Sequence, residues 1–576
     1  MKRKILWCWV SLLLVAVLVL VCCGPKEEVV VKKGELYGGT FTIFNSATEF
    51  QMLEPPNPDL KFSNYTSLWW LHFIQETPVV GDLETYGPRG TGEYAFETYW
   101  FQPAEYLTGN LVESWEISLE ELVFHVRPGV YWAPTEHQSA WMEARELTAE
   151  DMALDITRFW ESAWGPRFKG IIKDVYATDR YTVVVEFENF SQALIYYIGY
   201  EDRALISPPE TEIAGSDKYE NQVGTGPFMF EEYVVGSHMS YVRNPDYWGT
   251  TTINGKTYQL PFLDRVVVPI IPDESTQMAA LQTGKIDLSR GTELAYWDTL
   301  DRLVPEMEKT LYTPGRGRMV ALRNDQPPFD DVKVRRAMAI GTDQVEFAVL
   351  FKAGDLPIDF FPFRSGTPPY TPLKELPKDM QLLYSYDVEL AKQMLAEAGY
   401  PEGFTTKIVI EPSPVDLDIA SLLKDQWAKI GVELNLDVVD EVEYVAQTYP
   451  LPVPKYSGTV LSVYSTADPL LSFNQYWSSG GSGNTDVYSN PEFDDLIARA
   501  NLEMDVAEQT RLLKEAGSIL REDWPRLPLY LNSHRTYWWP WVKNYYGEIT
   551  IADDASFCPV IKYMWIDQAL KAEMGY

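Results

Sequence analysis

Cysteine and histidine are scarce in this 576-residue chain, with four of the first and five of the second. Cys8, Cys22 and Cys23 crowd the N-terminus, which leaves Cys558 alone in the body of the chain. No disulfide can form within that body, so the fold must rest on its own core, as this length permits. The histidines, His72, His125, His137, His238 and His534, show no metal-ligand spacing, and no metal site is expected. There is no G-x-S-x-G elbow, no P-loop and no G-x-G-x-x-G. These absences argue against a hydrolase built on such an elbow, a nucleotidase and a dinucleotide enzyme, and no cofactor is implied. Gly480 to Gly483 could suggest a phosphate loop, but no lysine follows, so it reads as a flexible loop. Basic residues are also short, at 48 Lys and Arg against 83 Asp and Glu, a net charge of -35. Such a surface repels nucleic acid and anionic headgroups, and neither is expected as a partner. With so many acids, paired carboxylates occur by chance. A secreted glycosidase, the enzymatic alternative, would need two of them facing one cleft at about 5–10 Å.

The N-terminus has three parts. Lys2, Arg3 and Lys4 are basic, Ile5 to Val21 is apolar except for Ser11, and Cys22, Cys23 and Gly24 precede Lys26-Glu27-Glu28. This is the layout of a secretory signal, just short of a full bilayer span. Leu20-Val21-Cys22-Cys23 resembles a bacterial lipoprotein signal, in which the cysteine is lipidated and becomes the new N-terminus. Cys23 fits best, with Leu20 three positions before it; Cys22 is the alternative. The stretch to about residue 36 reads as a tether.

Phe41 and Ile43 alternate with threonines as a strand. Leu122, Phe124 and Val126 alternate towards the turn Pro128-Gly129. Thr148-Ala149-Glu150-Asp151 is an approximate capping box opening a helix whose apolar face carries Met152, Ile156, Phe159 and Trp160. Asp387 caps a helix stopped by Gly399, Thr405 to Glu411 is a strand, Leu417 to Ile430 a helix, and Val432 to Val438 a strand. This alternation is that of an α/β lobe.

Seven blocks, in order, carry a resemblance: Asn110-Leu111-Val112-Glu113-Ser114-Trp115-Glu116-Ile117-Ser118, Phe124 to Val130, Leu147 to Asp151, Gly224-Thr225-Gly226-Pro227-Phe228, Arg243-Asn244-Pro245-Asp246-Tyr247-Trp248, Pro328 to Ala337, and Tyr488 to Asp494. Together they resemble the peptide, nickel and oligosaccharide class of ABC-transporter solute-binding proteins. The resemblance implies an α/β, two-lobed periplasmic-binding-protein-like fold with an extra inserted domain and a hinge between lobes. It divides the chain into signal (1–22), tether (23–36), domain I (37–80, 206–300 and 531–576), domain II (81–205) and domain III (301–530). It implies a monomeric receptor, not an enzyme, anchored by lipid at the cell envelope. The receptor would hand its small-molecule ligand to permease subunits served by an ATPase.

Peptide-binding members carry an aspartate for the peptide amine four residues before the proline matching Pro469. Here that position is Ser465, in Tyr464-Ser465-Thr466-Ala467-Asp468-Pro469, and Asp468 is the possible substitute. Aromatics are abundant, with 19 Trp, 35 Tyr and 25 Phe. A tryptophan face suits the C–H face of a pyranose, so the expected ligand is a small β-linked oligosaccharide. An oligopeptide is the first alternative and a metal chelate the second. Trp477, in a loop rich in small residues with Asn484, is expected to contact ligand. Trp297 is expected either to contact ligand or to pack. Of Trp538, Trp539 and Trp541, beside Asn532, at least one is expected to reach the cleft, with Trp539 as the candidate. Trp69 and Trp70 face opposite sides of one element, with Trp70 as the candidate for the cleft.

Overall fold

A computed structural model describes residues 34–47, 59–62, 68–98, 102–162, 164–313, 315–351, 360–448, 454–465, 468–553 and 557–576. The signal, Cys23 and most of the tether lie outside the described residues. Among the described residues no helix is long and apolar enough to cross a membrane.

Three large hydrophobic cores organise the chain. The first gathers distant segments: Phe41 and Phe73, then Tyr241, Val266 and Trp297, then Trp539, Trp541 and Ile566. Its main sheet lays strand Thr40–Thr42 parallel to Arg265–Pro269, followed by antiparallel His238–Arg243 and Phe228–Val234. The second core, with Leu122, Phe124, Met152, Ile156 and Val185, lies between a four-stranded antiparallel sheet and helix Ala149–Glu161. That helix begins with the expected capping box: the Thr148 side chain accepts from Asp151 N–H while Asp151 accepts from Thr148 N–H.

The third core spans Met319 to Leu531. Its sheet runs Val432–Val438, Phe404–Ile410, Thr459–Ser465, Arg316–Leu322 and Arg526–Leu531, mixed parallel and antiparallel. Helix Pro414–Ala428 joins the two parallel strands Phe404–Ile410 and Val432–Val438 as a crossover. Asp387 caps Val388–Glu397 by accepting from Leu390 N–H, and Gly399 beyond it has φ +95°.

The first two cores form one lobe and the third forms the other. The chain passes between them twice, from strand Glu308–Tyr312 to Arg316–Leu322, and from Arg526–Leu531 back to His534–Trp538. The two passages stay paired, because Asn532 N–H donates to the Arg316 carbonyl at 2.8 Å. Short passages at the ends of strands are where a hinge absorbs the change in backbone angles when lobes close.

Candidate ligand-binding site

The loop Phe360 to Arg364 shows how the third core presents a charge. Phe360, Phe361 and Phe363 are buried, and Phe363 stacks on Phe473 at 5.0 Å. The Tyr384 hydroxyl donates to the Phe361 carbonyl and the Tyr464 hydroxyl to the Pro362 carbonyl, both at 2.7 Å. Arg364, the next residue, leaves this anchor with its Nε buried and without a hydrogen-bond partner. The titratable groups that act on it are Tyr94 and Glu97, from the other lobe. Burial pulls the Arg364 pKa down, and those two groups offset part of the effect. Burial pushes Glu97 up, against the pull of Arg364.

Glu97 is held as firmly. Phe96 before it is buried at φ +54°, and its carbonyl accepts from Ile549 N–H at 2.8 Å. A buried phenylalanine in the left-handed region is strained, and strain of this kind gathers where a side chain must be aimed. Tyr94 stacks on Tyr106 at 4.4 Å. A direct interlobe hydrogen bond joins Gln509 to Gln192.

The carboxylates of Glu201, Asp202 and Asp553 converge, each offering an oxygen within 4.8 Å of the others. Arg203 pairs with Asp202 at 3.0 Å, and the Tyr196 hydroxyl donates to Asp553. The trio is thus tied into the joint between the first and second cores.

The aromatic residues expected at the ligand are elsewhere. Trp477 is 0% exposed, with Tyr464 and Phe473 edge-on to it at 4.7 and 5.5 Å. Tyr464 is equally buried. Trp297 is buried, donates from Nε1 to the Thr292 carbonyl at 2.8 Å and lies under Arg535. Trp539 donates to the Leu281 carbonyl and stacks on Trp541 at 4.5 Å. Trp70 is buried and stacks on Phe73. A sugar platform must show a ring face to the cleft, and in this structure these rings lie against protein. This corrects the expectation of tryptophan platforms: loop position and small neighbours did not outweigh the apolar area of an indole.

Asn484 is a loop pin, donating to the Ser478 and Tyr488 carbonyls and accepting from Tyr488 N–H. Asp468 caps helix Pro469–Tyr476 by accepting from Leu471 N–H at 2.5 Å, and burial pushes its pKa up to about 7. Its carboxylate is therefore engaged within its own lobe. Ser465 ends its strand in register with Arg316, at the lobe junction; its side chain lies outside the described residues. Asn532 lies at the junction too, and its Oδ1 is buried without a partner.

Sequence reasoning missed Arg364, Glu97 and Tyr94. The signal available was a cation directly after Phe360-Phe361-Pro362-Phe363, an unusual place for a guanidinium unless it has a task.

Residues 107–487 match the bacterial extracellular solute-binding proteins, family 5, middle region. The heme-binding protein A of Haemophilus influenzae is 29% identical over 454 residues, 73% of this chain and 78% of that protein. The dipeptide-binding protein of Escherichia coli is 26% identical over 476 residues, 76% of this chain and 83% of its own length. Among solved structures, HbpA2 of Haemophilus parasuis superposes with a TM-score of 0.70 at 20% identity, covering 92% of this chain and 99% of that one. The periplasmic binding protein DppA of Helicobacter pylori, in complex with a peptide, gives 0.68 at 22%, with the same coverage. The two-lobed α/β architecture is the one these neighbours share. With two thirds of its length matched, the chain belongs to family 5 of the bacterial extracellular solute-binding proteins, the substrate receptors of ABC importers.

Proposed function

We propose that this protein captures a short peptide between its lobes and delivers it to the permease of an ABC importer, held at the membrane by lipid on Cys23. The observation that carries the reading is Arg364, a half-buried guanidinium on one lobe whose Nε is buried without a partner, within electrostatic reach of Glu97 and Tyr94 on the other. A cation with a buried, unpartnered N–H is costly until an anion meets it. A carboxylate does so in bidentate geometry, with charge-assisted bonds of the strong class. The hydroxyls of a neutral sugar offer no charge, and the buried tryptophans offer no stacking face. Peptides, glutathione and heme, named in the relatives, all carry carboxylates.

The test is a thermal-shift screen of the chain from Cys23 onward. Its three arms are di- to pentapeptides, β-linked di- to pentasaccharides, and hemin. A ligand at about 100 times its Kd adds roughly 2.7 kcal/mol to the folded state. Peptides are expected to raise the midpoint. A shift with saccharides alone would overturn the reading, and a shift with hemin alone would transfer the carboxylate role to its propionates.

A further inference from the structure

The chain joins the lobes at two passages, and both run between the first core and the third. The second core has no such covalent link to the third. One of its side chains reaches across all the same: the Gln509 amide donates to Gln192 Oε1.

Each partner is aimed by its own lobe. In the third core, helices Pro491–Leu502 and Val506–Asp523 meet at a short turn, and Gln509 lies near the start of the second helix. Asp505 caps that helix by accepting from Glu508 N–H at 2.9 Å. The side-chain nitrogen of Gln509 also donates to the Ala500 carbonyl at 3.0 Å, near the end of the first helix. A carbonyl can only accept, so it fixes which end of the amide faces it and leaves one N–H for another partner. In the second core, Gln192 lies between strand Thr182–Phe187 and the helical turn Tyr196–Tyr200. Phe190 and Leu194, two residues to either side, are buried in that core, and Leu194 N–H donates to the Ser191 carbonyl at 3.0 Å. The segment is therefore pinned on both sides of Gln192. Gln192 and Gln509 themselves are half-buried.

We propose that Gln192 and Gln509 form a clasp between the second and third cores that holds the lobes together independently of any ligand. The proposal goes beyond the peptide reading and does not rest on it. Both partners belong to the protein, so the bond contributes to the closed form whether or not the cleft is filled. Opening about the two passages carries the second core away from the third, and the clasp must break first. When it breaks, water takes both amides. The net worth is then that of a neutral hydrogen bond, a factor of about two to ten in the closed-to-open ratio. Neither amide carries a charge, so the contact depends little on salt, unlike an approach of charges such as Arg364 and Glu97. A ligand that binds the closed form gains apparent affinity by up to the same factor.

The test is small-angle X-ray scattering of the chain from Cys23 onward, refolded from urea without ligand. Wild type, Gln192→Met, Gln509→Met and the double variant are each fitted as a mixture of closed and opened lobes. Wild type is expected to hold a closed fraction. Gln192→Met removes the acceptor at nearly constant volume and should raise the open-to-closed ratio about two- to tenfold, with its unfolding midpoint unchanged. Gln509→Met should open the lobes to the same degree. The double variant should open no further than either, because the two side chains act as one contact. Gln509→Met also loses the Ala500 bond, so if it unfolds early, Gln192→Met decides alone. Equal scattering from wild type and Gln192→Met, a wholly open wild type, or a double variant that opens by the sum of the single effects overturns the clasp. None of these results bears on the peptide screen, which is a separate measurement.

Discussion

Two aromatic loops of the third core have opposite fates. The Trp477 loop folds its ring inward, against Tyr464 and Phe473, until nothing of it is exposed. The Phe360 to Arg364 loop buries its phenylalanines just as deeply, but ends on a guanidinium whose Nε finds no partner in its own lobe. Aromatic density therefore marks packing in both loops. What distinguishes the second is a charge that packing leaves unsatisfied, and such a charge tells more about a ligand than a ring does.

The comparison breaks most directly at Trp477. Trp477→Ala removes a fully enclosed ring and is expected to cost about 3–5 kcal/mol of folding stability, read by urea unfolding. Refolded Trp477→Ala should keep its peptide Kd. A large loss of affinity with little loss of stability would return the residue to the cleft. Arg364→Met should show the reverse pattern. Glu97 and Tyr94 offset only part of the cost of burying Arg364, and its Nε has no partner, so the ligand-free protein is expected to lose little stability. Peptide affinity should fall by about 1.5–3 kcal/mol, the range for a hydrogen bond to a charged group, as measured by calorimetry.

The smallest effect concerns Asp468, which caps the helix leading to Trp477. Its folded pKa of about 7 lies above the ordinary value of 3.8, because burial disfavours the ionised form. The folded state therefore binds a proton more tightly than the unfolded state. This contribution to stability is present at acid pH and is lost as pH rises from about 4 to 7. Asp468→Asn keeps a good cap and cannot ionise. It should raise the melting temperature at pH 8 more than at pH 4, and an equal change at both would show that Asp468 does not titrate in this window.

Local elements were legible wherever local chemistry decides them. Thr148 and Asp151 announced a helix start, and Asp387 with Gly399 bracketed another. Strand Val432–Val438 followed from its alternation. The ordered blocks from Asn110 to Asp494 also led to the family, because they are contiguous in the chain. The ligand site was read less well. Trp477, Trp297, Trp539 and Trp70 carry the strongest composition signal, yet an indole loses the most by facing water, so abundance predicts core before it predicts contact. Asn532 was singled out for its position near the crossing, and it does carry an unpaired acceptor there.

By itself, the sequence determined the helices and strands, the dependence on a core without disulfides, the acidic surface and the family. Each of these follows from residues near one another in the chain or from simple sums over it. Only the tertiary structure decided which charges and amides meet across the lobes. Arg364 and Glu97 lie 267 positions apart in number, and Gln192 and Gln509 lie 317 apart. Their encounter depends on how two lobes close over a two-stranded hinge, and on which polar atoms that packing leaves without partners.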